Sequence, residues 1–170
     1  GSNVTSDDTL EWNGYAWSLR TPTDPEGDGE PLARVDAAAT YDLRRNRTVM
    51  FGGDNGSVIG DTWEWDGLSW KRMSPTGTPA FVARAAMAFD AHRGRVVLYG
   101  GCINTSACTT LSDQTWEYDG TAWTRTALTG APPGRYWHAM AYDANRKRVV
   151  MHGGCTAAAC GTVVDETWEY

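Results

Sequence analysis

The tripeptide Thr-Trp-Glu recurs along this chain at a nearly constant interval, and this recurrence constrains the fold more than any other feature. Thr62-Trp63-Glu64-Trp65-Asp66-Gly67 returns as Thr115-Trp116-Glu117-Tyr118-Asp119-Gly120 and again as Thr167-Trp168-Glu169-Tyr170. A worn copy, Thr9-Leu10-Glu11-Trp12-Asn13-Gly14, stands near the start. The threonines lie 53, 53 and 52 residues apart. A period near fifty marks stacked copies of one supersecondary unit, none of which can bury its apolar face alone.

The rest of the unit repeats in step. Ala39-Thr40-Tyr41-Asp42 with Arg47-Thr48-Val49-Met50-Phe51-Gly52-Gly53 has copies at Met87 to Asp90 with Arg95 to Gly101, and at Met140 to Asp143 with Arg148 to Gly154. Each block predicts a strand, a short polar turn, a second strand rich in Val, Met and aromatics, and a Gly pair. Trp-Glu-Trp or Trp-Glu-Tyr then predicts a third strand. After an Asp-Gly turn, Ser69-Trp70-Lys71-Arg72 and Ala122-Trp123-Thr124-Arg125 predict a fourth. Four antiparallel strands per repeat make one propeller blade, so the expected class is all-β.

A Gly pair closing the second strand, an aromatic in the third and a Trp eight residues after the Thr resemble the kelch repeat. The wording Thr-Trp-Glu-Tyr-Asp-Gly resembles the kelch-like arrays of bacterial surface and secreted proteins. The likeness runs from residue 9 to residue 170, as repeats 9–61, 62–114 and 115–166 with a further repeat beginning at 167–170. Residues 1–8 read as a tag-cleavage scar and a disordered lead. The resemblance implies a ring of six or seven blades, whereas this chain holds material for about three. Its ends are out of phase. The start supplies third and fourth strands (Leu10 to Trp12, Ala16 to Leu19), and the end supplies first, second and third strands (His138 to Tyr142, Val149 to His152, Trp168 to Tyr170). A half-propeller completed to a six-bladed ring by strand exchange in a homodimer is the expected assembly. The alternative is a truncated or engineered fragment with exposed edges.

Nine Trp and nineteen Gly provide large aromatic anchors and many special turns. The net charge of −6 and the lack of clustered Lys and Arg argue against a nucleic-acid partner. No apolar run is long enough to span a membrane as a helix. Four cysteines form two local pairs in equivalent loops after Gly-Gly, Cys102 with Cys108 and Cys155 with Cys160. Two disulfides are the expected reading, implying an extracellular, periplasmic or cell-surface setting. A Cys-based zinc site is the alternative, although the usual two-residue spacing between ligands is missing. Asn3, Asn46, Asn55 and Asn104 begin Asn-X-Ser/Thr triplets.

Residues that break the repeat are the candidates for function, because scaffold positions should agree between copies. His138 stands where the other copies have Ala37 and Ala85, and His152 where they have Phe51 and Tyr99. Arg135 matches Arg34, but Val82 takes that place in the middle copy. The periodic Glu11, Glu64, Glu117 and Glu169 read as scaffold carboxylates, expected to pair with Arg34 and Arg135 or with backbone amides. Asp61, Asp113 and Asp165 read as loop caps, with a structural calcium ion as the alternative.

No catalytic or cofactor motif is present. Two function classes follow. The first is a non-enzymatic binding or scaffold module that presents its loops and axial funnel to a glycan, peptide, small molecule or protein. The second is a hydrolase or lyase at the channel mouth, resting on His138, His152, Arg34, Arg84, Arg135 and Asp36. Under it, His138 and His152 are also the metal-ligand candidates.

Overall fold

The computed structural model describes residues 6–103 and 108–170. Asn3 and Asn104, with the first residues of the lead, lie outside the described residues. Among the described residues thirteen strands are joined by loops and one turn of 3-10 helix, Ala158–Cys160. They are β1 (Thr9–Trp12), β2 (Trp17–Arg20), β3 (Ala38–Asp42), β4 (Arg47–Phe51), β5 (Thr62–Trp65), β6 (Trp70–Met73), β7 (Ala86–Asp90), β8 (Arg95–Tyr99), β9 (Thr115–Tyr118), β10 (Trp123–Thr126), β11 (Ala139–Asp143), β12 (Arg148–His152) and β13 (Thr167–Glu169). No helix among the described residues is long and apolar enough to cross a membrane.

These strands make four antiparallel sheets in chain order: β1-β2, β3-β4-β5-β6, β7-β8-β9-β10 and β11-β12-β13. The inner strands β3, β7 and β11 lie side by side, so successive sheets follow one another around a common axis as blades of a β-propeller-like fold. The out-of-phase ends expected from the sequence are present: the leading sheet has the outer pair of strands, and the last has the inner three. The second strand of the leading sheet begins at Trp17, one residue later than expected.

Alternation along each strand sends its two sets of side chains to opposite neighbours. Val49 and Phe51 leave the first full blade toward the second, where they meet Met87, Phe89, Val96, Leu98, Tyr118 and Trp123 in the main core. A smaller cluster of Ala88, Val97 and Val149, flanked by Met140, Tyr142 and Tyr170, repeats this contact between the second blade and the last sheet. At the third-strand position Trp63 is buried, while Trp116 and Trp168 are only half-buried. The deepest aromatic lies two residues on, where Tyr118 is wholly buried. It reaches the preceding blade more directly.

Polar groups follow the same geometry. Tyr118 donates its hydroxyl to Glu64 at 2.9 Å, and Tyr170 donates to Glu117 at 2.6 Å. In the matching place, the Trp65 indole donates to Glu11 at 2.9 Å. The fourth-strand tryptophans also bond backward, Trp70 to Thr9 at 2.8 Å and Trp123 to Thr62 at 3.0 Å. The short leading sheet therefore docks on the first blade through the same bonds that join complete blades.

The partners expected for the glutamates need correction. Arg34 and Arg135 do not reach them. Glu11 takes Arg20 from the neighbouring strand at 2.9 Å, and the others take an arginine from their own blade's hairpin: Glu64 pairs with Arg45, Glu117 with Arg93 and Glu169 with Arg146. Each of those hairpin arginines is held by the Asp three residues earlier, Asp42, Asp90 or Asp143. The turn's Asp also accepts backbone N–H groups, so hairpin geometry and carboxylate pairing are set together.

The Gly pair has a steric cause. Gly52 and Gly100 have φ of +71° and +73°, and a Cβ there would sit 2.3 Å from the Val82 carbonyl oxygen or 2.4 Å from that of Arg135. Each lies on the next blade. The second glycine of each pair donates its N–H to that same carbonyl, Gly53 to Val82 and Gly101 to Arg135. Any side chain would wedge the blades apart.

Trp123 stacks on Tyr118 at 4.9 Å, contacts Phe51 and is 2 % exposed. Trp123→Ala should cost about 3–5 kcal/mol in denaturant unfolding by the cavity rule. A loss below about 1 kcal/mol would contradict the packing described.

Candidate functional site

The two ends of the propeller differ. One carries only the short hairpin turns. The other carries the loops after Gly-Gly and the segments that enter the inner strands, and there the copies diverge most in sequence.

Just before each inner strand one residue adopts left-handed backbone geometry: Asp36 (φ 58°), Arg84 (φ 62°) and Trp137 (φ 55°). None is glycine, so the conformation costs about 1 kcal/mol or more at each position. Backbone bonds link them around the axis, Arg84 N–H to the Asp36 carbonyl at 2.8 Å and Trp137 N–H to the Arg84 carbonyl at 3.0 Å. The side chains continue the link. Arg84 Nε donates to Asp36 Oδ2 at 2.8 Å, and the guanidinium lies over the Trp137 ring at 4.8 Å. Arg84 Nη1 sits 2.7 Å from Cys108 Sγ. Trp137 is 56 % exposed and tilts against the buried Tyr136 at 5.1 Å.

Both expected disulfides form, Cys102–Cys108 and Cys155–Cys160. Cys102 and Cys155 bridge back to Ala83 and Tyr136, the residues preceding Arg84 and Trp137. The disulfide loops thus brace the axial trio. In the first blade Asp54 fills the same place, bridging to Val35 and holding the Gly56 N–H with its carboxylate.

Arg34 and Arg135 are placed as struts beneath this rim. Arg34 forms a two-pronged pair with Asp61 at 2.5 and 3.0 Å and donates to the Gly52 carbonyl. Arg135, wholly buried, donates to Glu166 at 2.8 Å and to the Gly153 carbonyl at 3.0 Å. The caps expected at Asp61, Asp113 and Asp165 need correction, because the equivalent positions are Asp61, Gln114 and Glu166. Each accepts the indole N–H of the Trp two residues on. The three copies vary together: an acid stands where the strut is Arg, and the neutral Gln114 where it is Val82. Burial alone would raise the Asp61 carboxyl, but the Arg34 guanidinium and the Trp63 indole hold it below the ordinary range.

His138 lies 7 % exposed, edge-on to Tyr99 at 5.7 Å, and neither ring nitrogen has a hydrogen-bond partner among the described residues. Burial, and then the positive charge of Arg135, push it down from 6.5 to about 4. His152 is exposed and bonds Thr167 Oγ1 through Nδ1 at 3.0 Å. Among the described residues no group of three or more His, Cys, Asp or Glu side chains could hold a metal ion. The sequence candidates thus divide: Asp36 and Arg84 meet on the axial rim, while Arg34, Arg135 and His138 lie beneath it and His152 stands apart. Trp137 was missed, although three different residues at positions 36, 84 and 137 gave the same repeat-breaking signal as His138.

Models of known protein families do not match this sequence, and a search of curated proteins finds no significant relative.

Two outcomes follow from this geometry. Val82→Arg alone buries an unpaired charge and should destabilise the fold, whereas Val82→Arg with Gln114→Glu recreates the strut of the other copies. A double-mutant cycle should give a favourable coupling of about 1 kcal/mol or more; additive effects would contradict the pairing. Because His138 stays neutral when folded, the unfolded chain binds more protons between pH 6.5 and pH 4, and stability should fall by up to roughly 3 kcal/mol as pH drops through that window. His138→Ala, which copies Ala37 and Ala85, should flatten this slope in pH-dependent urea unfolding; an unchanged slope would contradict the assignment.

Proposed function

We propose that this chain is a non-enzymatic binding module, half of a kelch-type six-bladed propeller that a second copy completes, and that its ligand is held on the axial rim. The observation that carries this reading is the braced trio Asp36–Arg84–Trp137. A half-exposed indole lies under the Arg84 guanidinium, with the Asp36 carboxylate alongside to accept. A rigid aromatic platform flanked by charged donors and acceptors suits a ligand with one flat apolar face and a polar edge, such as a sugar ring or a peptide side chain. Rigidity matters here, because a preordered site avoids the entropy of arranging itself on binding. The two disulfides support a secreted or cell-surface setting, where such bonds persist. The hydrolase alternative has less support: His138 is buried beneath the rim, and His152 stands apart from the Asp36–Arg84 pair.

Arrays of oligosaccharides and of short peptides, probed with the disulfide-intact protein, test this reading. A ligand should be found whose binding falls about tenfold or more in Trp137→Ala and in Arg84→Ala, as expected for central aromatic and Arg anchors. The fold should be unchanged. Binding that ignores both substitutions would contradict the proposal.

A further inference from the structure

The loops after Gly-Gly and the segments entering the inner strands share one end of the propeller, and several of their large apolar side chains stand in solvent. Val35, Phe81, Trp137 and Val163 are 49, 61, 56 and 73 % exposed. Contacts link them across this end. Val35 bridges to Asp54 and precedes Asp36, and Arg84 joins Asp36 to Trp137. Phe81 lies against Gly60, three residues before Arg84. Val163 bridges to Cys155, which bridges to Tyr136 beside Trp137. Phe81 has a blade on either side, so its exposure is a property of the loop end itself. Single exposed apolar residues are ordinary, but several sharing one polar-rimmed end mark a contact surface.

The charge at this end indicates what it contacts. Residues 30–37, 52–61, 79–85, 101–114, 132–138 and 153–166 carry seven acids and three arginines, in a chain of net charge −6. All three arginines are paired: Arg34 with Asp61, Arg84 with Asp36 and Arg135 with Glu166. Glu30, Asp54, Asp113 and Asp165 are left without an ion pair among the described residues, and all but Asp54 are exposed. The opposite end supplies its own counter-ions, since Arg45, Arg93 and Arg146 each bridge an Asp and a Glu.

We propose that the loop end docks a basic, amphipathic peptide segment of another protein, whose Lys or Arg residues meet Asp113, Asp165, Glu30 and Asp54 while its apolar side chains cover Phe81, Val35 and Val163. This rests on the reading of the loop end as the binding face and names the chemistry of its partner. A neutral sugar leaves the four carboxylates unmatched, and an anionic one is repelled. A second copy docked by the same face brings like charges together. A cation beside the half-exposed Trp137 indole is attracted by the ring, as Arg84 is. Rim carboxylates of this kind steer a cationic partner to the surface, an effect that salt screens.

Fluorescence anisotropy of the disulfide-intact protein with three short labelled peptides, alternating Lys-Leu, Glu-Leu and Lys-Ser, tests this. The Lys-Leu peptide should bind, more weakly as salt rises; Lys-Ser should bind less well, and Glu-Leu not at all. Asp113→Asn combined with Asp165→Asn should weaken Lys-Leu binding about threefold or more, and Phe81→Ala about fivefold or more. Asn145→Lys, a charge change of the same sign at the hairpin end, should leave it unchanged, and the circular dichroism spectra should all match. Glu-Leu binding equal to Lys-Leu, binding indifferent to Asp113, Asp165 and Phe81, or no binding of Lys-Leu overturns the proposal. Self-association without peptide that Phe81→Ala abolishes makes the occupant a second copy and overturns it too. A neutral ligand held through Trp137 and Arg84, with no dependence on salt, overturns the basic partner while leaving the axial rim reading standing. Lys-Leu binding that needs Asp113 and Phe81 but ignores Trp137→Ala and Arg84→Ala supports the docking surface and overturns the rim reading instead.

Discussion

The interaction on which the rest of this structure depends is the hydrogen bond from one blade's aromatic to the preceding blade's glutamate. Glu64 lies almost fully buried between two blades, where an isolated carboxylate would be prohibitively costly. It is tolerated because Arg45 reaches it from the hairpin below and the Tyr118 hydroxyl from the blade behind. Burial, and then the Glu64 charge, push the Tyr118 hydroxyl well above its ordinary value, so it remains a donor. One carboxylate thus ties the turn of its own blade to the third strand of the next. The same set recurs through Arg93, Glu117 and Tyr170, and it fixes both spacing and rotation between blades.

With the blades locked in that register, the axial rim follows. Gly52 and Gly100 accept the carbonyl groups of Val82 and Arg135 at a distance no side chain would permit. That approach brings positions 36, 84 and 137 into a hydrogen-bonded row in which left-handed geometry is imposed on Asp, Arg and Trp. The strain is held from below by the Arg34 and Arg135 struts and from outside by the disulfide loops. What the scaffold leaves free to vary is the side chain at the end of each such segment, and that is where the proposed ligand contacts lie.

The blade was legible from the sequence because its determinants are local and periodic: Asp-Gly turns, alternating Val and aromatic strands, and a Trp eight residues after Thr9, Thr62 and Thr115. The cysteine pairs were legible for the same reason. Partner choice was less so. Glu64 could have paired with any arginine brought near it, and only the three-dimensional hairpin shows that Arg45, anchored by Asp42, arrives first. The loop-cap positions were read one residue early in two copies, because Asp113 and Asp165 look like Asp61 while the Trp indole bonds Gln114 and Glu166. Trp137 escaped notice because an aromatic at the start of a strand reads as core, and nothing local announces a left-handed backbone that turns it to solvent.

The account's central claim is that blades are joined through the buried carboxylate and the aromatic hydroxyl. A double-mutant cycle on Glu64→Ala and Tyr118→Phe, read by equilibrium unfolding in urea, tests it most directly. The account predicts that the two losses are strongly non-additive, with a coupling of about 1–3 kcal/mol, because removing either partner strands the other in the interface. Losses that add to within about 0.5 kcal/mol would show that the bond carries no linkage between blades and would contradict the account.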